Sequence, residues 1–189
     1  MEKGKLTGPE RRLLLKIARQ AIEAELAGLP FSLPRVTNPN LIEHRGAFVT
    51  LHKHGRLRGC IGTFSEHEPL HANVQSMALS AATTDSRFAP IVVDELADLK
   101  IEVSVLSPRE QVSGPEEIIL GKHGIYIHHG MNRGTLLPQV AVKEKWNVEQ
   151  FLGNCSKYKA GLGWDGWRDA DLYTYEAIVF NSEDLAPDC

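Results

Sequence analysis

Apolar positions follow two periods along this chain, and the two periods divide it into helices and strands. In "LTGPERRLLLKIARQAIEAELAG", Leu15, Ala18, Ile22 and Leu26 recur at helical spacing, with Leu14, Ile17 and Ala21 beside them. Thr7 followed by Glu10 reads as a capping box, and Gly28 ends the helix. Pro30, Pro34 and Pro39 make the next stretch an extended connection. A second helix is predicted in "EPLHANVQSMALSAATTD", where Leu70, Val74, Met77, Ala78 and Ala81 share one side, and "SRFAPI" breaks it. "LKIEVSVLS" alternates Ile101, Val103 and Val105 with Glu102 and Ser104, the pattern of a half-buried strand. "GKHGIYIHHG" reads as another strand. "TLLPQVAV" reads as an extended segment with Pro138 at an edge or bulge, and "KEKWNVEQFLGNCSKYKAG" as a short helix stopped at Gly161. "DLYTYEAIVF" reads as a single closing strand before an acidic, disordered tail. Helices and strands mix without strict βαβ alternation, so the fold class is α+β with antiparallel strands flanked by helices.

The most informative stretch is the hairpin "AFVTLHKHGRLRGCIG". A three-residue loop, "KHG", with Gly55 in the left-handed region, pairs Leu51 with Leu57, Thr50 with Arg58, Val49 with Gly59 and Phe48 with Cys60. One face then holds Ala47, Val49, Leu51, Leu57, Gly59 and Ile61, and the other holds Phe48, Thr50, His52, Arg56, Arg58 and Cys60. A two-residue loop would place Arg58 among Val49 and Leu51, so the burial pattern favours the first register.

Composition changes the picture only by exclusion. The chain has 189 residues, 42% hydrophobic and 24% charged, with a formal charge of −3. That is the profile of a soluble globular protein, and its mild acidity disfavours general nucleic-acid binding. No segment reads as a signal peptide or a membrane span. Cys60, Cys155 and Cys189 are an odd count without CxxC spacing, which suits neither a disulfide framework nor a zinc site and points to a reducing cytoplasm. No cofactor is called for.

Seven segments, "LTGPERRLLLKIAR", "RGAFVTLHKHGRLRGCIGT", "DSRFAPI", "DLKIEVSVLS", "GKHGIYI", "TLLPQVAV" and "WRDADLYTYEAIVF", together resemble the AMMECR domain family in content and order. Prokaryotic members of that family are called AmmeMemoRadiSam system protein A, and "LRGCIG" is its hallmark hexapeptide. The resemblance implies one two-lobed α+β domain over residues 1–189, with a larger and a smaller lobe. It also implies an association with Memo-like and radical SAM proteins, but no reaction. His67 and His71 are not residues of the family pattern, so no general mechanism is built on them.

Cys60 is the candidate nucleophile. On the hairpin face described above, Arg58 points the same way about 7 Å along the strand, and a guanidinium beside a thiol favours the thiolate. Gly59 and Gly62 allow close approach of a substrate or another backbone, and Thr50 adds a hydroxyl. The alternative is a small apolar residue in a tight space, with the glycines serving packing and Arg58 paired to a carboxylate. His71 and His128 are candidate bases. His128 and His129 are adjacent on a strand and so face opposite ways, and bringing in His52 or His54 would need chance proximity, so no metal site is assigned. Asp85 and Arg87 form either a salt bridge at a helix end or, through Arg87, a second anion-recognising cation beside Arg58. Gln139 orders a backbone or reads a ligand. Trp146, Trp164 and Trp167 are core or inter-lobe anchors rather than a stacking platform, and "GLGWDG" is a turn without a phosphate-loop pattern.

Three functional readings follow. The first is an enzyme or enzyme subunit in a modification pathway with Memo-like and radical SAM partners, using a Cys60/Arg58 cleft. The second is a non-catalytic protein that recognises a substrate or partner through the same residues. The third is an RNA-associated regulator. The substrate, whether small molecule, protein or RNA, is left open.

Overall fold

A computed structural model describes residues 5–64 and 67–183. The chain divides into two compact units, one built from the N-terminal part through Leu106 together with the segment from Ile178 onward, the other from Ser107–Ala177. The predicted acidic tail falls largely on residues 184–189, outside the described residues.

The first unit opens with α1 (Gly8–Leu26), which starts where the capping box places it: the Thr7 N–H donates to the Glu10 carboxylate at 2.6 Å. The short α2 (Pro39–Ile42), capped by Asn38, leads into β1 (Ala47–Lys53) and β2 (Arg56–Thr63). Helix α3 (Leu70–Thr83) and β3 (Leu99–Leu106) follow. The second unit holds β4 (Glu110–Val112), β5 (Gly124–His129), β6 (Asn132–Leu136), α4 (Pro138–Glu144), α5 (Val148–Cys155) and β7 (Asp171–Tyr175). The chain then returns to the first unit as β8 (Ala177–Asn181). Both sheets have four strands, in the orders β2-β1-β3-β8 and β4-β7-β5-β6. The paired strands run antiparallel, and with the helices this is the expected α+β architecture.

In the first unit α1 and α3 cover one face of the sheet. Leu14, Ala18, Ile22, Val74, Ala78 and Ala81 pack on Val49, Leu51, Ile101, Val103 and Val105, all essentially inaccessible. Each of the leucines, isoleucines and valines among them contributes roughly 1.5–3 kcal/mol of transfer free energy, and each alanine less. The opposite face carries Phe48, Thr50, Cys60, Glu102 and Ser104, so the alternation in the sequence separates an apolar face from a polar one. In the second unit Ile125, Ile127, Leu136, Phe151, Leu152, Cys155 and Trp167 form a separate core.

Four expectations are corrected. The hairpin loop has two residues, His54 and Gly55, both with positive φ (50° and 75°), a mirror-image turn that matches strand twist. The register therefore pairs Thr50 with Cys60, Val49 with Ile61, Phe48 with Gly62 and Leu51 with Gly59. An irregularity opposite Leu51/His52 absorbs Arg58 as an extra residue, so the shorter loop does not drive Arg58 into the core. Leu57, assigned to the core by simple alternation, is instead 42% exposed. Second, "TLLPQVAV" is not extended throughout: β6 ends at Leu136 and Pro138 opens α4 at a position where its fixed φ and missing N–H suit a helix start. Third, the helix predicted after it is broken at Lys145, in the left-handed region (φ 56°). It resumes as α5 behind an Asn147/Gln150 capping box and finishes in a π turn over Ser156–Ala160 before Gly161. Fourth, "DLYTYEAIVF" forms two strands in two different sheets, β7 and β8, divided at Glu176.

Candidate functional site

The hexapeptide "LRGCIG" lies in β2, the edge strand of the first sheet. An edge strand leaves backbone groups without a neighbour, and here side chains supply one. The Cys60 N–H donates to Asp85 Oδ2 at 2.8 Å, and Arg87 Nη2 donates to the Cys60 carbonyl at 2.9 Å. Arg87 also donates to both Asp85 oxygens, through Nε at 2.9 Å and Nη2 at 2.7 Å. The pair Asp85–Arg87 thus stands in for a missing strand, and the ion pair considered for "DSR" is present. The carboxyl of Asp85 is buried. The Arg87 guanidinium and the Cys60 N–H hold it charged, well below the usual carboxylate range.

Arg58 works in the opposite direction, from β2 onto the segment that follows α3. Its guanidinium donates to Glu95 Oε1 (3.0 Å) and Oε2 (2.8 Å), to the Ala89 carbonyl (2.7 Å) and to the Pro90 carbonyl (3.1 Å). Lys53 adds a third contact to Glu95 at 3.1 Å. Residues 85–95 are therefore clasped to the hairpin from both sides. The cation acting on the Cys60 thiol is Arg87 rather than Arg58, because the bulge takes Arg58 out of the simple alternation that aligned it with Cys60. Sequence reasoning missed Glu95. The only signal for it is the run of acidic residues in "VVDELAD", which does not say which one turns inward.

Glu95 carries a pH prediction. Arg58, and then Lys53 and the Val92 N–H, lower its carboxyl from 4.5 to about 2 against the opposing effect of burial. A folded-state value below the unfolded one stabilises the protein above the unfolded value, and that stability is lost as pH falls through the folded value. Urea unfolding of Glu95→Gln is expected to show a loss of about 1–3 kcal/mol at neutral pH. The difference from the native protein should shrink as pH falls from 4.5 towards 2. A constant difference across that window would show that the carboxylate charge is not what the clasp uses.

The thiol of Cys60 is half-buried and shares a hydrogen bond with the Thr50 hydroxyl at 3.2 Å. Burial raises its pKa above the ordinary 9.0, against smaller lowering effects of Thr50 and Arg87, while Asp85 and Glu102 add to the rise. Thr50 itself is buried. Gly59 and Gly62 are packing sites: a Cβ on Gly59 would lie 2.2 Å from the Ala81 carbonyl oxygen of α3, and one on Gly62 would lie 2.1 Å from the Phe48 ring. Among the described residues the hydrogen-bond partner of the thiol is Thr50 and not a histidine. His71 Nδ1 meets the Leu41 carbonyl at 2.9 Å. His128, in the second unit, lies 3.9 Å from Asp171, and His129 meets the Asp169 carbonyl. Among the described residues no three His, Cys, Asp or Glu side chains are grouped to hold a metal ion, and no helix is long and apolar enough to cross a membrane.

Gln139 belongs to the second unit, on α4, with its Oε1 buried and without a hydrogen-bond partner among the described residues. The three tryptophans also lie there: Trp167 is buried, Trp146 is partly buried against the same core, and the Trp164 ring rests on Gly153. A residue that sequence reasoning passed over is Glu102. It is half-buried on β3, paired in register with Thr50, and makes no hydrogen bond or ion pair among the described residues.

The AMMECR1 family model matches residues 15–180 of the chain. A protein of Methanothermobacter thermautotrophicus is 42% identical, with 97% of this chain and all of that one covered. Protein MJ0810 of Methanocaldococcus jannaschii is 39% identical over 96% of this chain and 94% of its own length. The crystal structure of an uncharacterized protein, PH0010 of Pyrococcus horikoshii, superposes with a TM-score of 0.85 at 38% identity, covering 90% of each chain.

Proposed function

The chain belongs to the AMMECR1 family, and from that premise we propose that it is a non-catalytic recognition protein. The hexapeptide shapes and holds a binding face and does not supply an attacking thiolate. The observation that carries this reading is the state of Cys60. Burial raises its thiol above the ordinary pKa, and among the described residues its hydrogen-bond partner is a hydroxyl and not a base, which is the reverse of what a nucleophile needs. Arg58 supports it, since four of its five N–H donors are engaged by Glu95 and two carbonyls of its own chain. The partners proposed for such a protein are the Memo-like and radical SAM proteins of the modification pathway that the family resemblance suggests.

Iodoacetamide tests the reading, with the extent of Cys60 modification read by peptide mass spectrometry against N-acetylcysteine. Cys60 is expected to react more slowly than the free thiol at neutral pH, and its rate should still be rising at pH 9.0, its ordinary pKa. A rate that levels off near neutrality, or exceeds that of the free thiol there, would restore the enzyme reading.

A further inference from the structure

The ladder between β4 and β7 ends at the pair Val112 and Leu172. Beyond it the two chains part. Pro115 has no N–H to carry the ladder further and opens a short helical turn, Pro115–Glu117, while β7 is entered from the turn Gly166–Asp169. The fork leaves a half-open cavity of about 330 Å³, lined entirely by residues of the second unit. That is the small end of the range for ligand sites, room for one ring rather than a chain of them. Its apolar wall is Val112, Pro115, Leu172 and the nearly buried Trp167.

The polar lining is Gln111, Ser113, Arg168 and Asp171, all four exposed. They have hydrogen-bonding capacity to spare. The Ser113 hydroxyl and Nη1 of Arg168 make no hydrogen bond among the described residues. Among the same residues the Asp171 carboxylate meets only Gln111 Nε2 at 3.5 Å and His128 Nδ1 at 3.9 Å. Two features of this lining choose a ligand. It mixes the two kinds of group: Arg168 donates, Asp171 accepts, and Gln111 and Ser113 do both. Hydroxyls, which also do both, match such a lining. It also carries one cation and one anion, and the Arg168 guanidinium already meets Glu149 at 2.7 Å and Asp165 at 3.2 Å. An anionic solute is repelled by Asp171 and finds Arg168 paired, and a cationic one drawn to Asp171 meets Arg168 in the same cavity. A neutral solute with several hydroxyls meets neither penalty.

We propose that the cavity binds a single neutral sugar of hexose size. Its hydroxyls are held by Asp171, Arg168, Gln111 and Ser113, and one C–H face of its ring rests on the apolar wall. The site shares no residue with the hexapeptide and goes beyond the recognition reading.

Titration of the isotope-labelled whole protein tests it, read by amide chemical shifts. The probes are glucose and galactose, the uronate and amino-sugar analogue of each, and cyclohexanol. At least one of the two neutral hexoses should move the amides of Ser113, Gly114 and Arg168 saturably, in the millimolar range. Its charged analogues should bind severalfold more weakly, and cyclohexanol, with a single hydroxyl, more weakly still. Asp171→Ala should weaken the hexose roughly tenfold, the scale of one charge-assisted contact, and Ser113→Ala severalfold. The amides of Ile125 and Ile127, in the core beneath, show whether each variant keeps its fold. No saturable shift at the fork with either hexose, a charged analogue that binds as tightly as its neutral parent, or a hexose affinity that survives Asp171→Ala overturns the proposal. The alkylation profile of Cys60 is a separate measurement, so an activated thiol would overturn the recognition reading without deciding this one.

Discussion

Gly59→Ala is expected to be the most damaging single-methyl change in the hexapeptide. The added Cβ would sit 2.2 Å from the Ala81 carbonyl oxygen and 3.2 Å from its carbon, and both atoms belong to the backbone of α3. No rotamer change relieves that contact. Either β2 or α3 must move; β2 is held by its pairing with β1 and by Ile61, and α3 by Val74, Ala78 and Ala81 in the core. Overpacking of this kind costs typically 1–3 kcal/mol and occasionally more, and about 3 kcal/mol is expected here because the obstacle is main chain. Gly62→Ala is the control. Its obstacle is the Phe48 ring, at 2.1 Å, which is a side chain that also meets Phe64 edge-on at 5.8 Å and can swing away. Urea unfolding should place Gly59→Ala well below Gly62→Ala, and replacing Phe48 by alanine should recover much of the Gly62→Ala loss and none of the Gly59→Ala loss. If Gly59→Ala unfolds within about 0.5 kcal/mol of the native protein, the scale of an ordinary surface substitution, the glycine is not there for packing.

That contrast shows what was legible before any coordinates. Helix α1 could be read almost to the residue because its apolar stripe, its cap and its stop agree. The face shared by Val49, Leu51, Gly59 and Ile61 could be read because strand alternation survives changes at the turn. Leu57 and Arg58 could not, because a bulge adds one residue without leaving a periodic trace, and only the choice between a two- and a three-residue loop reveals it. Pro138 misled for a related reason: the same fixed φ serves a strand edge and the first turn of a helix. The division of "DLYTYEAIVF" at Glu176 was hidden because both halves alternate normally and the break is a change of sheet, not of period.

The site was legible in its members but not in their connections. Cys60, Thr50, Arg58 and Arg87 could each be picked out by chemistry. What decides their roles is which carboxylate each cation meets, and that depends on the path of residues 85–95 across the hairpin edge. Arg58 looked like a ligand-binding cation as long as Glu95, 37 residues away in sequence, had no place. Glu102 looked like the solvent-facing half of an alternating strand. Only its register opposite Thr50, with no ion pair among the described residues, makes it conspicuous.

Asp85 offers the sharpest test of the claim that the hexapeptide is held from outside its sheet. Its carboxylate accepts from the Cys60 N–H and from Arg87, so Asp85→Ala would leave a part-buried edge amide and a half-buried guanidinium without their acceptor. Breaking a fully buried pair costs about 3–5 kcal/mol. Because Arg87 is 49% exposed and water can take over part of its contacts, about 2–3 kcal/mol is expected. Asp85→Asn keeps one oxygen for the amide and gives up the charge, so it should fall between the two. The pH dependence has a definite sign. The carboxyl is held below its ordinary 3.8, so its contribution is present above that value and fades as the medium is acidified past it. The decisive readout is local. Amide hydrogen exchange at Cys60 should accelerate by orders of magnitude in Asp85→Ala, while Val49 and Leu51, inside the same hairpin, accelerate only by the smaller factor that the lost global stability accounts for. Equal acceleration at all three would mean that Asp85 supports the fold as a whole, and unchanged exchange at Cys60 would mean that the edge of β2 needs no surrogate strand.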